Sequence, residues 1–189
     1  MTYVLGDMLF VHIPKTGGHA VWEVVKANGG YRMKDVRPHI RMHTSANALK
    51  QRLGPEYNQF KKVSLIRNPW ERAVSLYFGR NKLKKFSPEG FAKYMRQWRT
   101  LGKMRWNPYY QQTALLNRDV LVFRLDQIEK LWHWMEMNLD ITVDDPGIIK
   151  TGKNRYVERM HYRKYFNKEL RAVIAQAHKR DIERFGWKY

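Results

Sequence analysis

Apolar residues gather in three short runs along the chain, at 9–13, 63–66 and 120–123. They show little alternation, as expected of strands covered on both faces. After each run the apolar positions change to helical spacing. Gly18, Val21, Trp22 and Val25 follow the first run, and Trp70, Ala73, Val74, Tyr77 and Phe78 follow the second. Ile128, Leu131, Trp132, Met135 and Leu139 follow the third. The pattern predicts strand 8–13, helix 18–27, an extended piece near 31–36, a helix around 44–53, strand 63–66 and helix 69–79. Beyond these it predicts a helix over 88–98 begun by Ser87-Pro88-Glu89, a helix near 108–116 and strand 120–124 with its following helix. A last helix is expected over 167–184, with Leu170, Val173, Ile174, Ala177, Ile182 and Phe185 as its apolar stripe. Strands alternating with helices predict an α/β fold, a central parallel sheet flanked by helices with its ligand at the strands' carboxyl ends. No repeat, low-complexity tract or linker divides the chain, so one domain is expected over residues 1–189.

Two of the strand-to-helix turns carry chemistry. The first is Pro14-Lys15-Thr16-Gly17-Gly18, between the first strand and its helix. Glycines let the backbone curl so that several N–H groups point inward. The helix start adds partial positive charge and Lys15 a full one, so the turn suits a phosphate or a group of that shape. The nucleoside-triphosphate P-loop does not fit, because it places lysine and its hydroxyl after the second glycine, and here they precede both. The dinucleotide fingerprint fails too, since Gly17 and Gly18 are adjacent. The second turn is Arg67-Asn68-Pro69-Trp70-Glu71-Arg72-Ala73-Val74-Ser75. Arg67 ends the strand and Ser75 lies about two helical turns on. A guanidinium fork and a hydroxyl in that relation can share one phosphate.

These residues resemble the sulfotransferases that use 3′-phosphoadenosine-5′-phosphosulfate (PAPS). Residues 13–18 are similar to that family's 5′-phosphosulfate loop, and Arg67 with Ser75 to its 3′-phosphate element. The branch most resembled is the bacterial and carbohydrate type, related to heparan sulfate 2-O-sulfotransferases. His43-Thr44-Ser45-Ala46, Arg124-Leu125-Asp126-Gln127-Ile128 and the segments 162–166 and 181–186 add to the likeness. One departure is His19, where the family places threonine or serine. The resemblance implies a P-loop-NTPase-like sulfotransferase fold and sulfuryl transfer from PAPS to a carbohydrate or glycolipid hydroxyl, in an acceptor that can be anionic. It implies donor binding by Pro14, Lys15, Thr16, Gly17, Gly18, His19, Arg67 and Ser75, and release of 3′-phosphoadenosine-5′-phosphate (PAP). Lys15 would stabilise the leaving phosphate, and His43 would act as base, with His39 in reserve. His12 is expected to pack behind the loop. Arg72 is expected either to reach phosphate or to form an outward ion pair. Gln111 and Gln112 are candidates for acceptor contact, and the rings of Tyr94, Trp98, Trp106, Tyr109 and Tyr110 for stacking or core. The basic segment 150–155 is a candidate flap over the nucleotide, or a solvated connection. No metal is expected: His39 and His43 are four apart, but no carboxylate stands between them and Pro38 disrupts the region.

Charge narrows the partners. The 189 residues carry 36 Lys+Arg against 17 Asp+Glu, a formal charge of +19. The segments 80–106 and 150–189 each hold +8, while 107–149 is net −4. Such a field draws in anions, and a lysine-rich solvated surface is its plainer meaning. The alternative function is a basic polyanion- or nucleic-acid-binding protein on a degenerate scaffold of the same kind. No zinc-finger spacing, RRM signature or basic region with heptads is present, so nucleic acid is not the expected partner. A nucleotide kinase would need a true P-loop and an acidic magnesium ligand. With no cysteine, disulfides, thiolate metal sites and thiol nucleophiles are excluded. Neither a signal-peptide pattern nor a membrane-length apolar run appears, and the expected location is cytoplasmic.

Overall fold

The computed structural model describes residues 2–40, 43–81, 86–97, 111–147 and 160–189. The expected helix near 108–116 falls partly outside them, and Trp98, Trp106, Tyr109, Tyr110 and the segment 150–155 wholly so. The chain forms two compact units, Met1–Ile66 with Ala114–Thr151, and Arg67–Thr113 with Gly152–Tyr189.

The first unit is built on a five-stranded sheet: β1 (Tyr3–Leu5), β2 (Met8–Phe10), β3 (Tyr31–Arg32), β4 (Lys61–Ile66) and β5 (Leu121–Arg124), in the order β3-β1-β2-β4-β5. β2, β4 and β5 pair in parallel, with Phe10 opposite Val63 and Ile66 opposite Arg124. β1 runs against both its neighbours, so the sheet is mixed rather than wholly parallel. The added strand closes a hairpin through Gly6 and Asp7, where Gly6 takes a φ of +54°. Positive φ at the first turn residue matches the twist of the flanking strands, and glycine accepts it without strain. β1 spans only three residues, too short for periodicity to reveal. β2 stops at Phe10 rather than residue 13, although the Val11 N–H still donates to the Val63 carbonyl at 2.8 Å. The Ser64 hydroxyl donates to the Val11 carbonyl at 2.6 Å, joining the same two segments.

Helices α1 (Gly18–Ala27), α2 (Met33–Val36), α3 (Ala46–Leu53) and α6 (Glu129–Leu139) belong to this unit. The extended piece expected over 31–36 is thus a two-residue strand followed by one helical turn. Ser45 caps α3 by accepting from the Ala48 N–H at 3.3 Å. Tyr3, Leu5, Met8, Phe10, Val63 and Leu65 pack with Val21, Val24 and Val25 of α1 and with Leu131, Trp132 and Met135 of α6. The apolar faces of α1 and α6 therefore share one core with the sheet.

The second unit holds α4 (Pro69–Asn81), α5 (Pro88–Arg96), α7 (Lys168–Ala177) and α8 (Lys179–Phe185). Asn68 begins α4 by accepting from the Trp70 N–H at 3.1 Å, with Pro69 in the first turn. Ser87 caps α5 by accepting from the Gly90 N–H at 3.1 Å. The core is aromatic: the Tyr77 ring lies 5.1 Å from Phe91 and 5.4 Å from Tyr94, and Phe78 lies 5.6 Å from Tyr165. Edge-to-face packing of this kind suits the ring quadrupoles, and it makes Tyr94 a core residue.

The single C-terminal helix expected over 167–184 is two helices, broken at His178. The break turns the imidazole inward. His178 and Asp181 are both fully buried, and His178 Nδ1 lies 3.0 Å from Asp181 Oδ2. Burial pushes the His178 imidazole below its ordinary 6.5, outweighing the hydrogen bond and charge of Asp181, with nearby Arg72 lowering it further. Burial pushes the Asp181 carboxyl up. The hydrogen bonds from His178 and from the Thr113 and Gln112 N–H groups outweigh that and hold it below 3.8. Both groups bind a proton less readily folded than unfolded, so their contribution to stability is complete above pH 6.5. It is lost as the pH falls, first through the His178 range and then through the Asp181 range. Urea midpoints measured from pH 8 to 3 should therefore fall on acidification, and His178→Gln should flatten the decline between pH 7 and 5. Parallel curves for the two proteins would contradict this.

Candidate active site

The turn after β2 is held by its own atoms. The Thr16 hydroxyl is fully buried and donates to the Ile13 carbonyl at 2.9 Å, and the Ala20 N–H donates to the Gly17 carbonyl at 2.9 Å. Gly17 takes φ 88° and serves as the N-cap of α1 without a side chain to occupy the first-turn N–H groups. No acidic residue stands in that first turn, so the positive end of the helix is not neutralised locally. Gly17 is favoured by its φ of 88°, and Gly18 by its packing. A Cβ on Gly17 would meet Leu125 Cδ1 at 2.4 Å, and one on Gly18 would meet the His12 ring at 2.1 Å. His19, the departure from the family pattern, is exposed on the first turn, its Nδ1 3.8 Å from a Glu23 carboxylate oxygen.

Among the described residues, three that are not glycine have positive φ: Lys15 at 66°, His43 at 60° and Asp140 at 50°. Strained backbone of this kind costs about 1–3 kcal/mol per residue and gathers at functional sites. Two of the three are the residues expected to carry the chemistry. His43 Nδ1 lies 3.3 Å from the His12 carbonyl oxygen, and the two imidazoles sit 4.8 Å apart. A carbonyl can only accept, so Nδ1 carries the proton and the lone pair of neutral His43 is on Nε2. His12 thus packs behind the turn as expected, touching Gly18 on one side and holding His43 on the other. His39 is exposed, and its carbonyl accepts from Arg52 at 2.9 Å. His43, and not His39, is the histidine placed against the turn.

Arg67 is rooted twice in the second unit. The Arg67 N–H donates to Gln112 Oε1 at 2.9 Å, and Gln112 Nε2 donates to the Arg67 carbonyl at 2.8 Å. Its guanidinium donates through Nη2 to Glu71 Oε1 at 2.6 Å, with the Arg67 side chain 17% exposed. Ser75 lies further along α4 and is buried. Two expectations are overturned here. Arg72 forms no outward ion pair: it is 1% exposed, and burial lowers its guanidinium to about 10, against the raising field of Asp181. Gln112 does not reach outward to an acceptor, because both ends of its amide are committed to Arg67, and the Gln111 amide nitrogen is turned to the chain as well. Gln111 Nε2 donates to the Ala177 carbonyl at 3.0 Å, and Gln112 is fully buried on Arg67. Gln112 was expected to face an acceptor rather than Arg67, and neither Glu71 nor Asp181 was read as a site residue. Glu71 alone left a signal, its i,i+4 spacing from Arg67.

The Gly18 contact is directly testable. Gly18→Ala should destabilise the protein by about 1–3 kcal/mol, because the His12 ring must move. It should also unseat His43, so activity should fall further than stability accounts for. Thermal melts alongside turnover check this, and unchanged values for both would refute the packing argument.

A model of the sulfotransferase family matches residues 6–188. A crystal structure of mouse sulfotransferase SULT7A1 complexed with PAP is similar in fold, with a TM-score of 0.57 at 14% identity, covering 93% of this chain and 84% of that chain. No curated protein sequence matches. The α/β fold, with helices against a mixed sheet, is that of the sulfotransferases. Among the described residues no helix is long and apolar enough to cross a membrane. With a family model spanning nearly its full length, this chain belongs to the sulfotransferase family.

Proposed function

We propose that the protein transfers the sulfuryl group of PAPS to an acceptor hydroxyl, with Lys15 and His43 as its catalytic residues. The observation that carries this is the left-handed backbone at both residues, together with the contact of His43 with His12 behind the turn. PAPS supplies an activated sulfur whose leaving group is the 5′-phosphate of PAP. The backbone and first-turn N–H groups around Pro14, Thr16, Gly17, Gly18 and His19 receive the 5′-phosphosulfate. Arg67 and Ser75 receive the 3′-phosphate. His43 Nε2 takes the acceptor's proton as the acceptor oxygen bonds to sulfur and the bond from sulfur to the phosphate oxygen breaks. Lys15 neutralises the charge released on that phosphate oxygen. Cationic side chains and backbone donors thereby supply electrostatic stabilisation without calling on a metal.

The acceptor proposed is a carbohydrate or glycolipid hydroxyl, in keeping with the resemblance of the segments around His43 and residues 124–128 to the carbohydrate branch. The net charge of +19 favours approach of an anionic donor and tolerates an anionic acceptor. The same charge supports the alternative of a polyanion-binding protein, which predicts no preference among nucleotides.

Thermal shift separates the two. PAP should stabilise the protein by about 2–4 kcal/mol at 100 to 1,000 times its dissociation constant, and ATP with magnesium much less. Arg67→Ala should abolish the difference. Equal responses to both nucleotides would favour the polyanion binder. For the chemistry, His43→Ala should retain PAP binding and lose about 10²–10⁴-fold in transfer from labelled PAPS to a panel of glycans, lipids and phenols. Undiminished transfer would place the base elsewhere.

A further inference from the structure

The buried polar cluster of the second unit does something the motif residues cannot. Asp181 is fully buried, and its two oxygens accept three hydrogen bonds: from the Gln112 N–H at 2.8 Å, the Thr113 N–H at 2.8 Å and His178 Nδ1 at 3.0 Å. A carboxylate so engaged fixes the start of the turn Gln112–Leu115. Gln112 then extends its amide to Arg67 and bonds both the N–H and the carbonyl of that residue. That amide satisfies both backbone groups of Arg67, while Glu71 holds its guanidinium. The cluster also contains Arg72, whose buried charge faces Asp181 and lies within the field of Arg67.

We propose that Gln112, anchored by Asp181, is the positioning residue that aims Arg67 at the 3′-phosphate and so sets the preference for a 3′-phosphorylated nucleotide. This rests on Arg67 being the 3′-phosphate ligand. Three observations support it. Both hydrogen bonds reach the Arg67 backbone, so they set where the side chain begins. Glu71 holds one edge of the guanidinium at 2.6 Å, so the direction of the fork is set once its root is. The anchor is a buried charge with three donors, which resists movement far more than a solvent-exposed contact would. A phosphate recognised by a two-pronged fork is sensitive to a shift of that root, because both bonds must align together.

The test is a ratio. Calorimetric affinities for PAP and for adenosine 5′-monophosphate, which lacks the 3′-phosphate, are measured on the wild type, Gln112→Met and Arg67→Ala. The wild type should prefer PAP, and Arg67→Ala should erase that preference. Gln112→Met keeps the side chain's bulk and removes both bonds to Arg67. It should weaken PAP by about 10-fold or more and leave the monophosphate unchanged. Equal weakening of both ligands, or none of either, overturns the positioning role while Arg67→Ala still reports on the 3′-phosphate site. A wild type that binds both ligands alike overturns the Arg67 assignment and this proposal with it. Should Gln112→Met fail to fold, Gln112→Asn keeps the amide one methylene short and is judged by the same ratio.

Discussion

A buried carboxylate organises the helical half of this protein. Asp181 has no solvent, yet it stays ionised because three N–H donors and the field of Arg72 replace the water it gave up. An isolated charge in such a place would be several kcal/mol out of balance, so each partner has to be where it is. That requirement accounts for the break between α7 and α8, which brings His178 inward. It also accounts for the short turn at Gln112–Leu115 and for the amide that grips Arg67. One buried carboxylate thus ties together segments around residues 67, 112 and 178 that lie far apart in sequence.

The sheet half obeys a steric demand instead. Gly17 and Gly18 have no room for a Cβ, one because of Leu125 and the other because of the His12 ring. The same ring lies against His43, whose Nδ1 is tied to the His12 carbonyl. The turn at residues 14–18 and the His43 imidazole are therefore both packed against one residue, His12. Lys15 and His43 both hold left-handed backbone in this unit, a conformation that costs about 1–3 kcal/mol per residue.

Charge acts at two ranges. The excess of 36 basic over 17 acidic residues sets a long-range field that favours anions of any kind. Selectivity has to come from short range, where Glu71 beside Arg67 is informative. A carboxylate 2.6 Å from the guanidinium weakens that cation as a general attractor of anions and restricts its orientation. Attraction is diffuse in this molecule, and recognition is built from particular pairs.

Residues close in sequence determined much of what was legible. Helix α1 was foreseen at residues 18–27, and so was the strand, turn and helix around Arg67, because glycine, proline and apolar spacing act within a few residues. The turn residues 14–18 and Arg67 could be singled out for the same reason. What escaped was decided by contacts across the chain. The β1 hairpin depends on pairing that three residues cannot advertise. His178 sits in an unbroken helical pattern, yet the helix breaks there and its ring meets the buried Asp181. Gln112 is 45 residues from Arg67 and 69 from Asp181, and nothing in its neighbours announces either partner. The sequence alone determined which residues could hold an anion. Only tertiary structure decided which polar groups lost their water, and those groups had to find one another to be satisfied.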